Sequence, residues 1–552
     1  MRAPWLTLAG AALAVAPAAV VAQTNIPRWC GKPYQPGYPD VNPGGELYAP
    51  AQSPSQLLYV QVVPQHSIYV SSEITGAFIV DAALSRIHGS SYVNSTASPF
   101  TALFFSIAIQ GNDKPLVQNQ VAINSTDNLF PFNLGQLPPR LTAYRIVLYG
   151  SSVDGTQSYT ATTDLYYLPD KTTGSVTKVD NLNGGLLFRN SETNGQFTPI
   201  FPFGFYTNYG GYLELSNQNV QAYANYGFNV VHPIASYYYP NLTNYLDSID
   251  LLFQYDMRGY YQNLSSVAEQ VNAVKDYSAL LLYYTADEPD GSQDPLNGTT
   301  LAYNTITALD KYHPVSLVLN CKNYYFAQYG AGTDILMEDA YPIGINATYS
   351  KWGTQCNATY GDCGCDDCKG ELSDVSDRLD DFVRYQEWLG WWQKPTWAVP
   401  QSFYGEGYWS RDPTVGETYA MNVLSVNHGA KGIMLWTFPT TSQLATANGE
   451  QALVFTKQPV LGFLTGAQPT AIKVQGRQLL DVAYWIVGTQ AIIGVANLDY
   501  GDGGTATIEL PFSVTGLGMQ PWGSLQWSLA GSNALVIKSL PALATGMVIL
   551  YM

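Results

Sequence analysis

The sequence predicts an α/β protein, a (β/α)8 TIM barrel flanked by N-terminal and C-terminal β-sandwich domains. Three observations predict it. Between residues 199 and 436, short apolar runs alternate with stretches long enough for helices, which suits a barrel in number and length. On either side, strand-like runs follow one another between Gly, Pro, Asn and Ser. The chain, at 552 residues, exceeds what one hydrophobic core supports.

Taken in order, residues 1–22 read as a secretory signal. Arg2 gives the positive start, Leu6 to Val21 is apolar, and Val20 and Ala22 form a small-residue cleavage pattern before Gln23. A membrane anchor is the alternative, but the stretch is short and Pro17 interrupts it. Residues 23–185 are expected to form the first sandwich, with strands such as Leu57–Val63, Ala77–Val80 and Tyr144–Tyr149, and with 169–185 as a polar linker. The barrel is expected over 186–465. Its strands are read at Pro199–Phe205, Phe228–Pro233, Met257–Tyr261, Ala279–Tyr284, Val315–Leu319, Ile335–Met337, Thr396–Val399 and Gly432–Trp436. An open doubly wound sheet is the competing fold. It would more usually carry a glycine-rich phosphate loop after its first strand, and Tyr206-Thr207-Asn208-Tyr209-Gly210-Gly211 is not one. Residues 466–552 return to short strands, a second and smaller sandwich.

A formal charge of -17 repels phosphate backbones and anionic lipid, so neither nucleic acid nor membrane is an expected partner. The 41 tyrosines and 12 tryptophans are compatible with stacking on sugar rings, although tyrosine is also common in strands. Sequons at Asn94, Asn124, Asn241, Asn263, Asn297, Asn346 and Asn357 agree with a secreted, extracellular glycoprotein. The cysteines Cys356, Cys363, Cys365 and Cys368 cluster, as in a zinc site or in two disulfides. Secretion favours disulfides, with Cys30–Cys321 as a third.

The chemistry concentrates at the predicted strand ends. Ala279–Tyr284 runs into Thr285-Ala286-Asp287-Glu288-Pro289, two carboxylates at the edge of a buried strand. In a barrel this edge is where catalytic side chains project. The other ends offer Tyr206 and Asn208; His232; Gln262 and Asn263; Asn320; Glu338, Asp339 and Tyr341; Gln401 and, further on, Glu406; and Trp436 with Thr437. Carboxylates, amides and aromatic platforms are the groups of glycoside hydrolysis. That reaction needs a protonated acid at the leaving oxygen and a second carboxylate. No cysteine or serine nucleophile stands beside a base, and a single histidine does not make a zinc site. No metal or organic cofactor is implied.

Ala286-Asp287-Glu288-Pro289 resembles the fourth-strand motif of (β/α)8 glycoside hydrolases of the large retaining clan that includes β-galactosidases and cellulases. Met337–Pro342 and the stretch from Pro413 to Trp436 resemble a less characterised group of such barrels. The resemblance implies a polysaccharide or oligosaccharide substrate, with Glu288 as acid/base. The clan usually has Asn where this chain has Asp287. Its nucleophile is a Glu at the end of strand seven, where this chain has Gln401.

The second carboxylate is therefore expected from Asp339, or its neighbour Glu338, or from Glu406. Otherwise the barrel only binds glycans. Adjacent strand residues face opposite ways, so one of Glu338 and Asp339 enters the pocket. Asp287, Tyr206, His232, Tyr341, Gln401 and Trp436 are the expected substrate contacts. For His232 the competing reading is a core histidine, and for Trp436 a floor residue.

Overall fold

The computed structural model describes residues 26–552 except 97, 98, 113 and 236. The signal-peptide reading of residues 1–22 lies outside the described residues. Eight parallel strands close into a barrel: β1 (Phe203–Asn208), β2 (Val230–Ile234), β3 (Leu252–Asp256), β4 (Leu280–Asp287), β5 (Val315–Leu319), β6 (Ile335–Glu338), β7 (Thr396–Ala398) and β8 (Ile433–Phe438). Each pairs with the next, and β8 pairs with β1.

The continuous apolar runs become strands because both faces are covered. Every residue of β3, β5, β6 and β7 is buried. In β1, Gly204 permits a close approach, since a Cβ there would meet the Val230 carbonyl oxygen at 1.8 Å. The Tyr223 hydroxyl occupies the adjoining space, donating to that oxygen at 2.7 Å and accepting from the Phe205 amide at 2.8 Å. Inside the barrel, Gln254 donates to Ser316 Oγ at 2.7 Å and to the Met337 sulfur at 3.4 Å. Some of the helices start at side-chain caps: Ser216 before Asn217–Ala224, Asn263 before Leu264–Val274 and, after the last barrel strand, Thr441 before Ser442–Phe455.

Parts of the sequence reading differ from the structure, and the run read as the first strand, Pro199–Phe205, is split between Thr198–Ile200 and β1. The third strand is Leu252–Asp256, not Met257–Tyr261. The tyrosines of Gly259-Tyr260-Tyr261 belong to a turn in which the Tyr260 amide donates to the Met257 carbonyl at 2.9 Å. Residues 169–185 are not a plain linker. Val176–Val179 pairs with Leu186–Arg189, which pairs with Thr198–Ile200, and this small sheet adds Val179, Leu186 and Phe188 to the barrel core.

Before the barrel lie two four-stranded antiparallel sheets. Leu57–Pro64 alternates buried and half-buried residues, turning Leu58, Val60 and Val62 inward onto Leu103, Ile107 and Ile146 of the other sheet. After the barrel, Leu480–Val487, Gln490–Asn497 and Thr545–Tyr551 form the centre of one sheet. A three-stranded sheet of Ala506–Glu509, Ala534–Ile537 and Trp527–Leu529 packs on it. Among the described residues no helix is long and apolar enough to cross a membrane. The six cysteines pair as Cys30–Cys321, Cys356–Cys363 and Cys365–Cys368.

Candidate active site

The C-terminal ends of the barrel strands surround a cavity of about 210 Å3. Of the eight residues predicted for the site, six line it: Tyr206, Asp287, Glu288, Asp339, Tyr341 and Trp436. Trp29, Asn320, Asp362, Glu406, Tyr408 and Trp409 complete much of the wall.

Glu288 stands just past β4, where the pairing with β5 slips between Tyr284 and Asp287. Its backbone is left-handed, with φ of 48°, a conformation costly for a residue with a Cβ. Its carboxyl forms a hydrogen bond with that of Asp339. Burial pushes the Glu288 pKa well above the usual carboxylate range, and the charges of Asp339, Asp287 and Asp290 push it further. Burial and the charge of Asp287 also raise Asp339, against hydrogen bonds from Glu288 and Asn320. Both carboxyls are thus pushed toward their protonated forms. Both carboxylates expected for catalysis line the same cavity.

Alternation along β6 explains its neighbour. Met337 points into the barrel and Asp339 into the cavity, so Glu338 faces the helices. There its carboxyl accepts from the Ala340 amide at 2.9 Å, and burial pushes its pKa up to about 8.

Asp287 is held from two sides. Tyr284 donates its hydroxyl at 2.6 Å, and Arg258 donates Nη1 at 2.6 Å. Arg258 also pairs through Nε with the buried Asp256 at 2.7 Å. Burial opposes the Asp256 charge, but the Arg258 guanidinium outweighs it and holds that carboxyl below its ordinary value. The guanidinium lies over the rings of Tyr206, Tyr284 and Trp436, at 5.3, 5.4 and 5.5 Å from their centroids.

Two predicted contacts do not reach the cavity lining. His232 is fully buried beneath this cluster, with Nε2 3.2 Å from Arg258 and 3.3 Å from Asp256. Its ring lies tilted against that of Tyr206, with centroids 4.1 Å apart. Gln401 is fully buried with its amide engaged by backbone. Its oxygen accepts from the Ile343 amide at 2.9 Å, and its nitrogen donates to the carbonyls of Ile343 and Phe403 at 3.0 and 3.1 Å. It ties the loop after β6 to the loop after β7.

Tyr341 packs edge-on against Phe403 and Trp409, and the Trp409 indole donates to the Tyr341 carbonyl at 2.9 Å. Trp436 tilts against Tyr206 at 5.3 Å. Asp362, from the cysteine-rich loop, accepts from the Tyr408 hydroxyl at 2.5 Å and from the Gly364 amide at 3.0 Å. Glu406 is exposed at the rim, also with a left-handed backbone, φ 55°.

Sequence reasoning missed Trp29, Arg258 and Asp362. A signal existed for Trp29, because it precedes Cys30, while the partner Cys321 follows Asn320.

No protein-family model matches the chain, and no curated protein matches it. Among solved structures it is similar to an FMN-binding β-glucuronidase from Facaelibacterium prausnitzii L2-6, at 11% identity and TM-score 0.32, over 91% of this chain and 70% of that one. It is similar to a β-glucuronidase of Parabacteroides merdae, at 9% identity and TM-score 0.32, over 90% and 74%. A GH30 endoxylanase from Clostridium papyrosolvens C71 matches at 10% identity and TM-score 0.39, over 64% of this chain and 97% of that one. The activities in those descriptions are those of the other proteins.

Proposed function

We propose that this protein is a secreted glycoside hydrolase acting on an oligosaccharide or polysaccharide, with Glu288 as the general acid. The observation that carries this reading is the Glu288–Asp339 carboxyl pair in an aromatic-walled cavity at the barrel mouth. A carboxyl held toward its protonated form by its surroundings is what protonation of a glycosidic oxygen requires. Tyr206, Tyr341, Trp409 and Trp436 supply walls for the apolar faces of a sugar. The volume, about 210 Å3, is below that of drug-sized pockets and suits a single ring. Secretion is supported by the pairing of all six cysteines and by the exposure of all seven sequon asparagines.

Asp339 serves Glu288 as its proton partner and not as the opposing group. Flanking carboxylates in such enzymes stand about 5–5.5 Å apart for retention and about 6.5–9.5 Å for inversion, and hydrogen-bonded carboxyls are closer than either. Of the remaining carboxylates on the wall, Asp287 is occupied by Arg258 and Tyr284, and Asp362 by Tyr408 and Gly364. Glu406 is the exposed one and takes the second role.

The test is release of sugar from a panel of glycans. Glu288→Gln lowers turnover about 100- to 10,000-fold with an unchanged circular dichroism spectrum, and Glu406→Gln does likewise. Gln401 at the end of strand seven favours a second reading, a glycan-binding barrel without turnover. Saturable binding with no released product establishes that reading in place of the first.

A further inference from the structure

Residues 28–33 come from outside the barrel and cross its mouth as a strap. Arg28–Trp29 pairs with Lys32–Pro33 in a two-stranded ribbon. Cys30 is bonded to Cys321, and its amide donates to the Gly291 carbonyl at 3.3 Å. Lys32, nearly fully buried, pairs with Asp366 at 2.6 Å and Asp367 at 2.7 Å. The Trp29 ring fills the space beside Gly291, where a Cβ would come within 2.3 Å of it. Three fastenings therefore fix one indole in the cavity wall.

That indole makes a directed contact. Trp29 Nε1 donates to Asn320 Oδ1 at 2.9 Å, and Asn320 Nδ2 donates to Asp339 Oδ1 at 3.1 Å. An amide can turn either edge toward a neighbour, but an indole N–H only donates. Trp29 thus obliges Asn320 to present its oxygen to the ring and its NH2 to Asp339. A carboxylate receiving that donor is favoured as the anion, and the proton of the pair is left to Glu288. The loop bearing Asn320 is itself anchored, because Asp290 accepts from the Gly291, Asn320 and Cys321 amides at 2.9, 3.2 and 2.9 Å.

We propose that Trp29, held over the barrel mouth by the Cys30–Cys321 disulfide, is a positioning residue that fixes the Asn320 amide and so directs the shared proton of the Glu288–Asp339 pair onto Glu288. The proposal deepens the hydrolase reading and rests on it for its catalytic meaning. The direction of the hydrogen bonds stands without it.

Other charged and titratable groups act on the pair and stay in place when Trp29 is changed. They are Asp287 and, through it, Arg258; Asp290; Glu338 and Arg378; and, in the cavity wall, Tyr206, Tyr341, Asp362 and Glu406. The change in proton position is thus assigned to the one contact removed.

The test reads the proton directly. Infrared difference spectra between the intact protein and Glu288→Gln isolate the protonated carboxyl band of the pair. Labelling aspartate carboxyls with carbon-13 leaves that band in place when Glu288 carries the proton and shifts it when Asp339 does. In otherwise intact protein the band is insensitive to the label. In Trp29→Phe, which keeps a ring and loses the donor, part of the band becomes sensitive. The Cys30→Ser/Cys321→Ser double variant, which releases the strap, behaves the same way.

With a substrate in hand, Trp29→Phe lowers kcat about tenfold and moves the acid limb of the pH–rate profile upward, because Asp339 loses a donor that favours its anion. A band in folded Trp29→Phe as insensitive to the label as in the intact protein overturns the proposal. Label sensitivity in the variant with no sugar released by the intact protein supports the hydrogen-bond direction while removing the hydrolase reading.

Discussion

Arg258 bridges Asp256 and Asp287, at 2.7 and 2.6 Å, and so couples the buried end of β3 to the motif that ends β4. The guanidinium fork suits this task because its donors diverge in one plane. Arg258→Met leaves Asp256 buried without its cation, and the expected loss is about 3–5 kcal/mol in urea denaturation. Arg258→Lys keeps the charge but cannot span both carboxylates, so it recovers only part of the stability and leaves Asp287 free to turn. A melting temperature unchanged in Arg258→Met rules out this coupling.

Gln401 stands where the retaining clan has its nucleophile, so Gln401→Glu is the obvious change to make. The structure predicts that it fails. The carboxylate would face the carbonyl oxygens of Ile343 and Phe403, which now accept from the amide nitrogen. The expected cost is about 2 kcal/mol or more in denaturant unfolding, with no gain in sugar release.

Glu417 is a joint between barrel and C-terminal domain. It accepts from both Arg411 nitrogens at 2.8 and 2.7 Å, from the Thr414 amide at 2.7 Å, and from the Tyr500 hydroxyl at 2.6 Å. Burial opposes its charge, but these donors, Arg411 first, hold the pKa down to about 2. Its folded pKa lies below the unfolded value of about 4.3. The stabilisation is present above about pH 4.3 and is lost as pH falls through about 2. Glu417→Gln lowers stability at neutral pH by about 1–3 kcal/mol and flattens the acid side of the stability profile.

His428 has the opposite sign. It lies between Asp380 of the barrel helix Ser373–Leu389, at 2.8 Å, and Asp481 of the C-terminal sheet, at 2.9 Å. Burial disfavours its charge, but hydrogen bonds to the two carboxylates outweigh that and push its pKa up to about 10. The stabilisation is complete below about pH 6.5, the unfolded value, and is lost as pH rises through about 10. Denaturation midpoints measured across that interval fall more steeply in the intact protein than in His428→Gln.

The barrel was legible because its strands are apolar on both faces, and the long run ahead of Asp287 left little else for that segment to be. Glu288 was legible for the same reason, since a carboxylate at such an edge needs a use. Arg258 was hidden by a misplaced strand. Aromatic residues favour strands, and Gly259-Tyr260-Tyr261 drew the third strand about five residues late, which put Arg258 inside it instead of beyond its end. Gln401 was read as a site residue from its place after β7. Which way an amide turns there depends on the backbone of another loop, and periodicity carries no trace of that. Trp29 belongs to a segment outside the barrel repeat, and only its neighbour Cys30 hinted at where it goes.

Trp29, Trp409 and Trp436 share the wall of one small cavity, so three of the chain's twelve indoles change surroundings when it fills. The protein therefore carries its own optical probe. Any ligand that displaces water from the mouth alters the intrinsic fluorescence, whether or not a bond is cleaved, and Trp29→Phe removes the share of the signal that comes from the strap.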